Sequence, residues 1–319
     1  MANSTTKWHS FIGREISRFL HQCQSIAIVV NPDDGETVYV HMPYMMWGIS
    51  WIEKKKEAFS KLAQRHQDRL FRVRAAHANA PPNVRAFLQR HLYQDDGSEK
   101  LCAEGRATPD EIKTIVQEAI HAQIVPVSRN RLYPDSADCR QWLKQYGIGV
   151  DCSGFVKQAL IRLVKASCAF LGKTPDERDS YGVGWMTTHG FRRDILGTAT
   201  ERDSFGSVAT PRKARPGDVL VSQSHIRIVI DVEPCPDDAL ILHLAESTSA
   251  VDIPLGQATA DADIGPRRIQ VQYPQPDQPI ARQVPLFRRL YDKTFAADEA
   301  ESAYILGRFR KLGLIYLTM

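Results

Sequence analysis

One short segment of the chain places a cysteine at the start of an amphipathic pattern. Cys152 is followed by Ser153 and Gly154, and then by apolar residues at spacings of three and four. These apolar residues are Phe155, Val156, Ala159, Leu160, Leu163 and Val164. The pattern predicts a helix whose first turn carries Cys152. The positive end of a helix stabilises a thiolate, and its N–H groups can hold an oxyanion. The segment therefore predicts a nucleophile, although a lone cysteine in an apolar helix is usually a small buried side chain.

A cysteine nucleophile needs a base and a group that orients the base. His225 precedes an apolar run that predicts a strand, and an imidazole with a pKa near ~6.5 can accept the thiol proton and later protonate a leaving amine. A surface histidine at a strand start is the alternative. His243, in the next predicted strand, is our preferred orienting residue, although it could also be a hydrogen-bonded core histidine. Glu246, three residues later, could fill the same role.

Four short motifs resemble the NlpC/P60 family of papain-like proteins. DCSGFV at 151–156 is similar to that family's nucleophile motif, and RPGDVL at 215–220 resembles the entry to its first core strand. His225 and His243 resemble its base and its third polar residue. The order of the motifs matches the family, and the resemblance covers roughly residues 108–250.

This resemblance implies a cysteine peptidase or amidase that needs no cofactor. The expected reaction is hydrolysis of an amide bond in peptidoglycan-type peptides, between D-glutamate and a diamino acid, through a thioester on Cys152. Ser153, Asp151 and Tyr146 are expected to support the site or its oxyanion hole, with Asp151 capping the helix. Two alternatives remain open. One is a papain-like hydrolase or acyltransferase, such as a toxin or effector, with a substrate outside the cell wall. The other is a catalytically inactive binding module.

The elements that must position these residues fall into two groups. Residues 25–41 predict a hairpin, and residues 52–78 and 82–93 predict helices. Thr108 and Glu111, with a proline between them, form a capping-box pattern that predicts a helix start. We therefore expect an N-terminal accessory region before this helix start and a catalytic domain after it.

The predicted fold is α+β. The boundaries are 1–107 for the accessory region, an α/β extension, and 108–319 for a papain-like NlpC/P60 domain. From Asp218 onward the pattern changes to short strands, which predicts helices packed on an antiparallel sheet. The long interval between Cys152 and His225 predicts an insertion near 170–214.

The composition excludes several other classes of protein. The chain has 41 basic and 37 acidic residues, a net charge of +4, which argues against a nucleic-acid-binding surface. No segment has the ~18 to 20 apolar residues of a membrane span. The six cysteines show no zinc-ligand spacing, so we expect no metal. A peptide substrate is the partner that the sequence indicates, and protein partners stay unknown. The N-terminus has no signal-peptide pattern, which predicts a cytoplasmic protein or export by a non-classical route.

Overall fold

The protein is an α+β chain built on an antiparallel sheet. The computed structural model describes residues 2–45, 64–96, 100–128, 130–174, 187–198, 204–222, 225–248, 265–283, 286–287 and 304–312. Within these ranges the helices are α1 (Ala2–Gln24), α2 (Gln64–Ala78), α3 (Pro82–Leu92), α4 (Pro109–His121), α5 (Ser136–Gln145), α6 (Cys152–Phe170) and α7 (Thr188–Ile195). Short 3-10 turns occur at Leu101–Glu104, Pro211–Lys213 and Ile280–Arg282.

The strands form a hairpin and one larger sheet. The hairpin consists of β1 (Ile26–Asn31) and β2 (Glu36–Val40). The remaining strands are β3 (Phe205–Val208), β4 (Val219–Val221), β5 (Ile226–Pro234), β6 (Leu240–Thr248), β7 (Gly265–Tyr273), β8 (Leu286–Phe287) and β9 (Ile305–Phe309). They form a seven-stranded sheet in the order β3-β9-β4-β5-β6-β7-β8, in which each described pair is antiparallel.

Most of the predicted elements are confirmed. The hairpin lies within residues 25–41, and α2 and α3 occupy most of the two predicted helices; residues 52–63 lie outside the described residues. The Thr108 side chain accepts a hydrogen bond from the backbone N–H of Glu111, and the Glu111 side chain accepts one from the Thr108 backbone. Within the predicted insertion at 170–214, helix α7 and strand β3 are described. Strand β9 was not predicted from the sequence.

Helix α1 packs along α6, the helix that begins at Cys152. Phe19 stacks on Phe155 near the start of α6, with ring centroids 5.4 Å apart. Phe11 contacts Phe170 at the end of α6, with ring centroids 4.7 Å apart. The two helices are therefore antiparallel, and both cover the same face of the sheet. Residues of the opposite face, among them Leu220, Val229 and Leu244, form a second apolar cluster.

The boundary predicted between residues 107 and 108 crosses the core. The larger apolar cluster joins α1, the hairpin and α3 to α4, α5, α6 and the sheet. The described residues of the N-terminal region therefore share one apolar core with described residues after Thr108. The physical reason is that α6 presents apolar residues on more than one side, so that one helix contacts both the sheet and α1.

A fragment that begins at Thr108 is expected to lose cooperative unfolding. Removing α1 exposes the apolar surface of α6 around Phe155, which is fully buried in the whole chain. Urea titration followed by circular dichroism, with the full chain as the control, checks this. A sharp transition in the fragment would show instead that residues 108–319 form their own core.

Candidate active site

Cys152 is the first residue of α6, and its neighbours hold the start of that helix. The side chain of Asp151 caps the helix by accepting a hydrogen bond from the backbone N–H of Gly154, as predicted. The hydroxyl of Ser153 donates to the same carboxyl at 2.9 Å. Burial raises the pKa of Asp151, while these hydrogen bonds oppose the increase. Asp151 and Ser153 therefore fix the helix start, and their polar groups are directed toward each other.

The backbone just before Cys152 is held by two parts of the N-terminal third of the chain and by strand β6. We call residues 149–151 the nucleophile segment. Its Val150 N–H donates to the carbonyl of Pro43 at 3.0 Å, and its Asp151 N–H donates to the carbonyl of Gly105 at 2.7 Å. The hydroxyl of Ser247 on β6 donates to the Val150 carbonyl at 2.8 Å. Three distant parts of the chain thus position the nucleophile segment.

Gly154 permits this close packing. A Cβ atom at this position would lie 2.4 Å from the carbonyl oxygen of Gly105, which is closer than real Cβ contacts allow. The glycine of the DCSG motif is therefore needed where the turn at Gly105 packs against the first turn of α6. Any side chain here would displace either that segment or the helix start.

His225 lies beside Cys152. Its side chain hydrogen-bonds with that of Cys152, and its Nε2 atom lies 2.9 Å from Oε2 of Glu246. The backbone N–H of His225 donates to the hydroxyl of Ser222 at 3.0 Å, which fixes the backbone just before β5. The imidazole is buried, with 10% of its side chain exposed. The structure thus brings together Cys152, His225 and Glu246.

Glu246 is a buried carboxylate held by two arginines. The Nε atom of Arg227 donates to its Oε2 at 2.8 Å, and the Nε atom of Arg267 donates to its Oε1 at 2.7 Å. Burial alone would raise the pKa of Glu246, but Arg227, Arg267 and His225 hold it well below its ordinary range. The carboxylate is therefore ionised and fixed in position next to the imidazole.

His243 is not beside His225, which corrects our preferred assignment. Its Nε2 lies 2.8 Å from the carboxylate of Glu233, and it stands opposite Asp231 in the sheet. Asp231 is six residues from His225, which is about 20 Å along a strand. Successive side chains of a strand alternate between its faces, so that residues 243 and 246 point to opposite sides of β6. The structure places Glu246, and not His243, in the orienting position.

Tyr146 packs at a different place from the one expected. Its ring makes edge contacts with Trp142 and His77, with centroids 5.5 and 5.7 Å away. Its hydroxyl accepts a hydrogen bond from Gln145 at 3.4 Å. None of the contacts described for Tyr146 reaches Cys152, so its role is to pack the end of α5.

Thr188 and the two arginines were missed by sequence reasoning. Oγ1 of Thr188, the first residue of α7, lies 3.5 Å from Sγ of Cys152. Nothing in the sequence around Thr188 connects it to the cysteine. Arg227, in contrast, interrupts an apolar strand and is fully buried. A buried arginine needs a carboxylate partner, which is a signal that could have indicated Glu246.

The pKa of His225 reflects opposing influences. Burial and the positive charge of Arg227 lower it, whereas Cys152 and Glu246 raise it, with a net result of about 9. The ring is therefore an imidazolium at neutral pH. A positive charge beside Cys152 and the N-terminus of α6 both stabilise negative charge on the sulfur. The arrangement can support nucleophilic attack by Cys152 and proton donation by His225.

We expect iodoacetamide to label Cys152 before the buried structural cysteines. Burial raises the pKa of Cys102 to about 11 and that of Cys139 to about 12, so these thiols stay protonated. Cys152, in contrast, lies at the N-terminus of α6 beside the positively charged ring of His225, a setting typical of reactive cysteines. Peptide mapping after brief labelling at about pH 6, well below the ordinary thiol pKa of ~8.5, measures the rates. The urea-unfolded chain is the control, and equal rates in the folded chain would contradict the activated thiol.

In the part of the chain that the structure describes, no cluster of three or more His, Cys, Asp or Glu side chains could hold one ion. No described helix is long and apolar enough to cross a bilayer. In comparisons with known proteins, no family model, curated protein or solved structure matches this chain.

Proposed function

We propose that the protein is a cysteine hydrolase of the papain-like NlpC/P60 type, which cleaves an amide bond in peptidoglycan-type peptides. The observation that carries this proposal is the hydrogen-bonded series from Cys152 to His225 to Glu246. A nucleophile, a base and a buried orienting carboxylate in this order are the groups that acyl transfer to a thiol requires.

The first half of the reaction forms a thioester. The thiolate of Cys152 attacks the amide carbonyl carbon, and the carbonyl electron pair moves onto the oxygen. The N–H groups at the start of α6 offer hydrogen bonds to that oxyanion. The tetrahedral intermediate then collapses: the C–N bond breaks, and the imidazolium of His225 gives its proton to the leaving amine.

The second half releases the acyl group and restores the thiolate. The neutral imidazole of His225 takes a proton from water, and the resulting hydroxide attacks the thioester carbonyl. The C–S bond breaks, the carboxylic acid product leaves and the thiolate–imidazolium pair is regenerated. Glu246 holds the ring orientation in both halves, because its Oε2 stays beside Nε2.

The substrate class is supported by the resemblance of residues 151–156, 215–220 and 225 to the NlpC/P60 motifs. His243 no longer contributes to that resemblance as a site residue, because its ring pairs with Glu233. The third position of this site is instead a glutamate. The carboxylate performs the orienting task that the family's third polar residue performs.

Mass spectrometry of muropeptides tests the proposed substrate. Purified peptidoglycan is incubated with the wild-type protein or with Cys152→Ala and then digested with a muramidase. We expect the wild type alone to shorten the stem peptides between D-glutamate and the diamino acid. Unchanged muropeptides, together with cleavage of protein substrates by the wild type alone, would favour the papain-like hydrolase of another substrate class.

A further inference from the structure

A large cavity lies between α1 and the sheet, and its lining includes none of Cys152, His225 and Glu246. It has a volume of about 1080 Å³, which is close to the upper end of the volumes of small-molecule sites. Residues of α1, the segment 211–216 and strands β5, β6, β7 and β9 line it. Gly13 lets α1 approach β5 at this place, because a Cβ atom there would lie 2.5 Å from the carbonyl oxygen of Ile230.

The lining of this cavity is strongly basic. Seven of its residues are lysines or arginines: Arg14, Arg18, Arg212, Lys213, Arg215, Arg268 and Arg308. His9 and His243 also line it, and Asp231 is the acidic residue of the lining. The whole chain has a net charge of only +4, so this positive charge is concentrated in one place.

Carboxylates outside the lining neutralise some of these cations but not others. Three are in ion pairs: Arg18 with Glu15, Arg212 with Asp238 and Asp277, and Arg308 with Asp218. Among the described residues, no ion pair involves Arg14, Lys213, Arg215 or Arg268. Arg268 instead donates to the hydroxyl of Ser17 at 2.9 Å. None of these four cations is in an ion pair with a carboxylate of the described residues, although Arg215 is near enough to Asp218 to lower the pKa of that carboxyl.

The positive charges of this cavity affect the pKa of His9. This pKa is lowered by burial and by the positive charges of Arg215 and Arg308. Like charges held close together destabilise a folded chain unless an anion neutralises them. The cavity therefore has the size and the electrostatic field of an anion-binding site.

We infer that this cavity binds a small, multiply phosphorylated molecule. The guanidinium groups of Arg14, Arg215 and Arg268 can each donate two parallel hydrogen bonds to a phosphate, and Lys213 adds a point charge. Several phosphates on one molecule are needed to neutralise four cations from different elements. A nucleic acid is a poorer match, because it needs an extended positive surface and these charges line a single cavity.

Calorimetric titration of the full chain tests this site. The probes are inorganic tripolyphosphate, ATP and inositol hexakisphosphate, which separate recognition of phosphates alone from recognition of a nucleoside or a ring. At low salt we expect one molecule to bind per chain, with an affinity that falls as salt is added. Cys152→Ala should bind equally well, so that this result does not depend on the proposed hydrolysis.

Matched variants test whether the probes bind in this cavity. Arg14→Gln on α1 and Arg215→Gln on the facing segment should each weaken binding of the best probe by about tenfold or more. Arg72→Gln, which removes the same group from an exposed position on α2 outside the cavity, should leave the affinity unchanged. Equal affinity in all three variants would overturn the proposal, as would tighter binding of a single-stranded oligonucleotide than of every phosphate probe.

Stability without ligand gives a second measurement. Arg215→Gln should raise the Tm of the ligand-free protein, because it removes one of several like charges, and should abolish most of the Tm increase caused by the probe. A lowered Tm together with an unchanged probe effect would show that Arg215 is structural and would contradict the site.

Discussion

Replacing Cys152 by alanine is expected to abolish amide hydrolysis, because no thioester can form without the sulfur. His225→Ala should be almost as severe, since the ring both promotes the thiolate and protonates the leaving amine. General acid–base catalysis is typically worth about 10²- to 10⁴-fold in rate, so we expect a loss of at least that order in kcat. Release of shortened muropeptides, followed over time, measures both variants.

The control for this experiment is Cys235→Ala, which removes a partly exposed thiol from the turn between β5 and β6. It should keep wild-type activity and stability. Thermal unfolding of Cys152→Ala should also be close to that of the wild type, because the change removes one atom at a helix start. Residual turnover by purified Cys152→Ala at the wild-type rate would exclude Cys152 as the nucleophile.

Replacing Glu246 by glutamine is expected to lower kcat by about 10²-fold and to change its pH dependence. The pKa of His225 is about 9, so the imidazolium persists through neutral pH and activity should fall as pH rises through about 9. Glu246 raises this pKa, and removing its negative charge lowers it. The alkaline limit of kcat/KM should therefore move to lower pH in Glu246→Gln.

The matched control is His243→Ala on the same strand. His243 pairs with Glu233 and lies on the other face of β6, so its loss should leave both kcat and the alkaline limit unchanged. Glu246→Gln also removes the negative charge to which Arg227 and Arg267 donate, so its Tm is measured and the kinetics are recorded well below that temperature. A silent Glu246→Gln and an inactive His243→Ala would reverse the assignment.

The sequence was informative about local features and less so about pairing between strands. The capping residues Thr108 and Glu111, the hairpin and the helix start at Cys152 depend on neighbours in sequence, and each is found in the structure. The choice between His243 and Glu246 depended on which face of β6 meets His225. That face is set by the register with β5, which shifts between Val229 and Asp231 and leaves no mark in the sequence.

Local sequence patterns also could not predict how the N-terminal residues contact the candidate site. The stretch at residues 95–107 is polar and contains glycine, which favours a domain boundary there. In the structure, Gly105 and the residues after it contact the nucleophile segment through backbone hydrogen bonds. Such bonds do not depend on side-chain type, so composition could not indicate them. A buried arginine in strand β5 was the one available clue to the carboxylate at the site.

The hydrogen bonds around the nucleophile segment also determine when the site can exist during synthesis. The Ser247 hydroxyl bonds to a carbonyl 97 positions earlier in the chain, and Pro43 contacts the same valine. Contacts between such distant residues form late in folding, because long loops must close first. A growing chain can thus make helix α6 soon after it leaves the ribosome, yet it cannot complete the site until β6 has been translated. A chain that ends before β6 would carry Cys152 without the contacts of Ser247 and Glu246, so we expect such incomplete copies to show no amide hydrolysis.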